Sequence, residues 1–145
     1  MKKLVAFTAL ALALAAPAAV AQPSSRGFTG TWAVQTQDYS GSGGRSFRAL
    51  SGTMIITRNG RGYNADFVAH TIGAQRGEWP VTAVERCTGR TLTGGDRIGI
   101  TCEVISHNSS GGYDPDNFEL TLQGDEMRGQ LIYNGQTGAL FTRVR

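Results

Sequence analysis

On both sides of Asn59-Gly60 the chain alternates with a period of two. Gly52, Met54 and Ile56 before the pair, and Tyr63, Ala65 and Phe67 after it, are apolar or small, whereas Thr53, Thr57, Asn64 and Asp66 between them are polar. A period of two sends successive side chains to opposite faces of a strand, so this stretch is a half-buried antiparallel hairpin with one dry face. Asn-Gly suits the positive φ angles of a type I′ turn. The register with Arg58 opposite Arg61 sets Ile56 across from Tyr63, Met54 from Ala65 and Gly52 from Phe67.

The same pattern recurs further on. A turn at Gly124-Asp125 places Leu122 opposite Met127, Leu120 opposite Gly129 and Phe118 opposite Leu131, with Glu119/Gln130 and Thr121/Arg128 on the reverse face. A turn centred on Gly94-Gly95 brings Cys87 across from Cys102 and Arg86 across from Glu103. Strand segments at Phe28 to Gln37, Trp79 to Arg86 and Ala139 to Val144 bring the number to about eight, and no segment after the N-terminal leader has the 3.6-residue period of an amphipathic helix. The expected fold is all-β: a single up-and-down antiparallel barrel of about eight strands, which leaves no exposed edge, with a two-sheet sandwich as the alternative.

The N-terminus carries a second message. Lys2-Lys3, an apolar run from Leu4 to Ala16 and a small-residue exit at Ala19-Val20-Ala21 have the form of a secretory signal peptide cleaved after Ala21. Residues 1–21 are thus expected to be removed, 22–27 to form a flexible arm, and 28–145 to form the barrel, exported to a periplasmic or extracellular compartment. The only lysines leave with the leader, so 12 arginines face 11 acidic residues, and they are scattered along the chain. Such a balance gives no basic tract for nucleic acid. No stretch of the mature chain reaches the roughly 20 apolar residues of a membrane helix. Cys87 and Cys102 are expected to form one disulfide, which an oxidising compartment would preserve.

Phe28-Thr29-Gly30-Thr31-Trp32 in the first strand and Phe141-Thr142-Arg143 in the last resemble the calycins, the lipocalin and avidin-like eight-stranded barrels. The resemblance implies that Trp32 plugs one end of the barrel and that Arg143 packs over it, a placement that a cation-π contact would favour. The chain departs from those families in lacking the inner Thr-Asp-Tyr motif of lipocalins and in having only Trp32 and Trp79, too few for the walls of an avidin-like biotin site.

The residues that carry chemistry are sparse. His70 and His107 have no Cys, Asp or Glu at metal-ligand spacing and are assigned to the surface or to loop edges. Tyr113-Asp114-Pro115-Asp116-Asn117 offers oxygen ligands of the kind calcium accepts, but one short stretch is better read as a polar β-turn. Asn108-Ser109-Ser110 matches a glycosylation acceptor, which has meaning only in a eukaryote. The Ser40 to Gly44 tract lacks the ending of a phosphate-binding loop, and no Gly-x-Ser-x-Gly nucleophile turn occurs. Glu85 can face inward beside Cys87, either to meet an arginine or to act, and no second acid is paired with it by the sequence. Neither an enzyme, a cofactor nor a metal is therefore expected.

The inward set leads to the functional expectation. Tyr63, Phe67, Phe118, Leu120 and Tyr133 would wall the interior, with the Tyr39 to Phe47 segment as a lid, and a small apolar or amphipathic molecule would enter through the open end. Gly52, Ala65 and Gly129 would either leave room for that guest or let the large side chains interdigitate. The alternative is a secreted barrel that binds a protein, such as a protease inhibitor, through residues 22–27 and its loops.

Overall fold

In the computed structural model, residues 27–40, 46–47, 49–72, 80–133 and 135–145 are described. The leader (1–21), most of the arm (22–26), most of the Gly/Ser tract and Trp79 lie outside them. The strands are β1 (Gly30–Thr36), β2 (Tyr39–Ser40), β3 (Ser46–Phe47), β4 (Ser51–Asn59), β5 (Gly62–Ile72), β6 (Pro80–Thr91), β7 (Arg97–His107), β8 (Asn117–Gln123), β9 (Glu126–Tyr133) and β10 (Gly135–Arg143). Eight of them close into an antiparallel barrel in the order β1-β10-β9-β8-β7-β6-β5-β4, and β2 and β3 form a separate small hairpin. The barrel, rather than the sandwich, is the architecture.

Alternation sorts the side chains as expected. Along β4 and β5, Met54, Ile56, Tyr63, Ala65, Phe67 and Ala69 are buried, while Thr53, Ile55, Thr57, Asn64 and Asp66 are exposed. Two registers agree rung for rung with the sequence reading: Phe118 faces Leu131, Leu120 faces Gly129 and Leu122 faces Met127, and Cys87 faces Cys102 beside Arg86 and Glu103. The cysteines form the expected disulfide, with both side chains inside the barrel.

The β4–β5 register differs. Ile56 pairs with Ala65, Met54 with Phe67 and Arg58 with Tyr63, two residues away from the expected partners. The turn residues are Gly60 and Arg61, and of these only Gly60, at φ 56°, has a positive φ. That pattern belongs to a turn with glycine at its first central position and not to a type I′ Asn-Gly turn. A slip of two preserves which face each side chain occupies, which explains why the dry face was assigned correctly from the wrong rungs. The observed rungs set Ile56 against Ala65 and Met54 against Phe67, and Arg58 reaches over the Tyr63 ring, 4.8 Å from its centroid, to donate to its hydroxyl at 2.6 Å.

The glycines of the inner face mark close backbone approach. A Cβ on Gly129 would lie 1.9 Å from the Glu119 carbonyl oxygen, and one on Gly52 would strike the Val68 carbonyl and the Phe67 ring. At the waist Phe118 packs edge-on against Phe67 (5.9 Å between centroids) and Phe141 (5.1 Å), surrounded by Met54, Leu120, Met127 and Leu131. The large side chains interdigitate there.

One end of the barrel holds the turns β4–β5, β6–β7 and β8–β9; the other holds the link between β1 and β4, the β5–β6 loop, the segment 108–116 and the β9–β10 turn. At the first end Trp32 is fully buried, its indole N–H donating to the Phe28 carbonyl at 2.9 Å. Arg143 lies 4.2 Å over the Trp32 ring and donates to the carbonyls of Thr29 and Gly27 and to Asp125. The second end is the mouth.

Candidate functional site at the barrel mouth

The mouth is built around a buried acid that sequence parity already aims inward. Glu85 lies on β6 two residues before Cys87 and shares its face; it is 1% exposed. Beside it the β6–β7 ladder shifts register between Val84 and Glu85, so that Glu85 pairs with Val104 while Val84 pairs with Ser106. Irregularities of this kind re-aim side chains and are frequent near functional sites. Past the shift, His107 pairs with the inward-facing Ala83 and stacks on the ring of Tyr113, 6.3 Å between centroids.

Opposite Glu85 stands Asp116, 2% exposed. The segment Tyr113 to Asn117, expected to be a polar β-turn, has no turn at 113–116 and encloses Asp116 while leaving Asp114 exposed. Asp116 continues the inward parity of Phe118, Leu120 and Leu122 by one step, so the end of the loop points into the barrel. Its backbone N–H donates to the Glu85 carboxyl oxygens at 3.2 and 3.4 Å, and the Tyr113 hydroxyl donates to Asp116 Oδ2 at 2.7 Å. The two carboxyls are close enough to act on each other electrostatically.

Burial governs their charge. Desolvation, then the neighbouring Asp116 charge, pushes Glu85 up to about 8, and desolvation pushes Asp116 up to about 6. The cause is shared: both acids lie in a low-dielectric space and no basic side chain among the described residues bonds either one. Both shifts favour the protonated form, so the pair titrates as a unit above the ordinary carboxylate range. Tyr113 and Tyr39 are raised as well, first by desolvation, Tyr39 to about 12.

β2 brings Tyr39 beside this group. The Thr36 hydroxyl accepts from the Leu50 N–H, and Asp38 accepts from the Ala49 N–H, both at 2.9 Å, which clamps the stem of the β2–β3 hairpin. Tyr39 packs on the core and its hydroxyl donates to Thr71 Oγ1 at 3.2 Å. Of the segment expected to act as a lid, Tyr39 to Phe47, the described residues are β2 and β3, paired with Tyr39 opposite Phe47, and 41–45 lie outside the described part.

The other residues singled out from the sequence are distributed along the barrel axis. Tyr63 lies at the plugged end, edge-on to Phe28 (5.5 Å). Phe67, Phe118 and Leu120 form the waist. Tyr133 ends β9 at the mouth, and its side chain is outside the described part. His70 is exposed and bonded to Thr82, and His107 is exposed at the rim, as assigned. Glu85 and Asp116 escaped pairing in the sequence because they are 31 residues apart and meet only when the segment after β7 turns inward; the signal available was their shared inward parity.

Among the described residues, the one group of three acid, thiol or imidazole ligands is Glu85 with Cys87 and Cys102, whose sulfurs are tied up in the disulfide and cannot serve as thiolates. No helix among the described residues is long and apolar enough to cross a membrane. Compared with known proteins, the chain matches no family model and no curated sequence. The fold and the mouth thus define an all-antiparallel, closed eight-stranded barrel with an acid-phenol cluster inside one end.

Proposed function

We propose that the protein is an exported, calycin-like barrel that binds a small amphipathic molecule at its mouth and performs no chemistry on it. The observation that carries this reading is the Glu85–Asp116–Tyr113 cluster, an enclosed polar group where an apolar core would be more stable. Buried acids with displaced ionisation are concentrated at functional sites. The apolar part of the guest would rest on the waist side chains and its polar part against the cluster, under Tyr39. Calycin membership is supported by the barrel and by the Trp32–Arg143 plug, and export by the disulfide and the leader-like residues 1–21. Native mass spectrometry of gently purified protein, with displacement of a fluorescent amphipathic probe, tests the reading. A co-purified small mass and probe displacement that weakens in Asp116→Asn are expected; neither a mass nor displacement would refute it.

A second reading is favoured by the filled waist. A barrel with a solid centre offers its loops and residues 22–27 to a protein partner, as a secreted protease inhibitor would. Deleting residues 22–27 separates the two: an inhibitor loses potency, whereas a small-molecule binder keeps its probe.

A further inference from the structure

β7 is eleven residues long, yet its ladder with β8 runs only from Arg97 to Ile100. Beyond Ile100, β7 pairs with β6, and Cys102 N–H reaches β8 through the Asn117 side chain at 2.9 Å. Near the mouth the wall between β7 and β8 is therefore completed by the segment 108–116. That segment leaves β7 at His107, bends at Ser110-Gly111, passes Gly112 at φ 85° and returns inward to Asp116. Its outer root is held by Asn108, which exchanges hydrogen bonds with Thr82. Its inner end is held by Glu85.

We propose that Glu85 and Asp116 form a proton-operated latch: protonation of the pair keeps segment 108–116 seated in the mouth, and its loss releases the segment and opens the seam between β7 and β8. The two acids differ in what holds them. Glu85 is fixed in a strand paired on both sides, whereas Asp116 ends a loop that a glycine pair can hinge. When both are ionised, two like charges repel in an enclosed space, and the loop is the more weakly held side. Two donors offset part of that repulsion, the Asp116 N–H on Glu85 and the Tyr113 hydroxyl on Asp116, and the other facing groups leave it in place. Tyr113 from the loop and Tyr39 from β2 are phenols that burial keeps neutral, Thr71 of β5 offers a hydroxyl, and the Cys87–Cys102 disulfide does not titrate. His107 stacks on the ring of Tyr113, and Asp114 lies exposed on the loop itself.

The direction follows from the raised acids. Their contribution to closure is complete in acid and is lost as pH rises through about 6 to about 8, so the mouth is closed at low pH and open at high pH. The device goes beyond the binding reading and operates without a guest, so it can fail while that reading stands.

Hydrogen exchange of the mature, disulfide-bonded chain between pH 5.5 and 9, corrected for the intrinsic pH dependence of exchange, tests it. Protection at residues 113–117 is expected to fall at least tenfold across this range while the β4–β5 hairpin stays unchanged. Glu85→Gln, which keeps a neutral donor beside Asp116, is expected to abolish that fall, and His107→Gln to leave it intact. A flat wild-type profile, or an unchanged profile in Glu85→Gln, would overturn the latch. Should Glu85→Gln fail to fold, carbon-13 titration of the wild-type side-chain carboxyls decides: two coupled carboxyls titrating above pH 5.5 support the latch, and all carboxyls titrating below pH 5 refute it.

Discussion

Arg143 covers Trp32 from the last strand of the barrel to the first, its guanidinium 4.2 Å above the indole ring, while its nitrogens donate to Gly27, Thr29 and Asp125. One side chain thereby ties the chain entry to the β8–β9 turn and seals the closure between β1 and β10. Arg143→Ala leaves two inward carbonyls without donors and strips the ring of its cover. An expected loss of about 2–4 kcal/mol would appear as a lower urea midpoint. Arg143→Lys should recover only part of it, because an ammonium cannot reproduce the planar fork that serves several acceptors at once.

The glycine of Gly30-x-Trp32 follows from the same contact. Gly30 adopts φ 138°, and a Cβ there would come within 2.6 Å of Arg143 Nη1. Gly30→Ala must strain the backbone and push the guanidinium off the indole. Roughly 1–3 kcal/mol of destabilisation is expected. In an Arg143→Ala background the steric part should vanish, so a double-mutant cycle measures it, and strictly additive effects would disprove the coupling.

Cys87 and Cys102 close a loop with a sequence separation of 15 inside the barrel wall. The chain-entropy account assigns such a crosslink about 3 kcal/mol. Cys87→Ala/Cys102→Ala should lose that amount in equilibrium urea unfolding while keeping its β-sheet circular dichroism. A double variant as stable as wild type would show that unfolded-state restriction contributes little here.

Much of this architecture was legible because barrel strands obey local rules. The β8–β9 rungs could be read directly, since Gly124-Asp125 admits a two-residue turn and the apolar side chains match on both arms. The β4–β5 rungs could not be read from the turn alone. Asn59-Gly60 favours one turn, but the Arg58–Tyr63 contact and the packing of Phe67 against Met54 belong to another, and those are tertiary. The mouth was the least legible part. Asp114-Pro115-Asp116 reads locally as a solvated bend, and the parity of Asp116 with Phe118 becomes meaningful only once the loop is known to turn inward. An inward Glu85 was one option open from the sequence, whereas its neighbour there, an acid and not an arginine, is set by the inward return of the segment after β7, which no local pattern shows.

Phe118 offers a way to divide fold from site. It sits between Phe67 and Phe141 at the waist, below the acid-phenol cluster. Phe118→Ala should cost about 3–5 kcal/mol, as a cavity among closely packed rings does. Phe118→Leu should cost less and leave probe affinity at the mouth within about twofold, whereas Asp116→Asn should change affinity with little effect on the waist. Comparing thermal melts with probe titrations for the two variants checks this; if Phe118→Leu alone abolished binding, the guest would lie in the waist.

The pH dependence of stability carries the sign of the buried pair. Glu85 is raised from an ordinary carboxyl value to about 8, first by desolvation and then by Asp116, and Asp116 is itself raised to about 6 by desolvation. In the unfolded chain both ionise in the ordinary carboxylate range, so the folded state binds more protons between that range and pH 8. Stability contributed by the pair is thus fully present in acid, below the unfolded values, and is lost as pH rises through the folded ones. Surface carboxylates such as Asp125, held low chiefly by the Arg145 hydrogen bond, act in the opposite sense and only at lower pH. Melting temperature should therefore decline from about pH 5.5 upward, most steeply below about 6 where the folded state holds both extra protons, less steeply from about 6 to about 8, and level off above that. Glu85→Gln cannot ionise, so its curve should be flatter and cross the wild-type curve, gaining roughly 1–3 kcal/mol over wild type at pH 9. Parallel curves for the two proteins would mean that the acids ionise without cost, and the pair would then be solvated in solution.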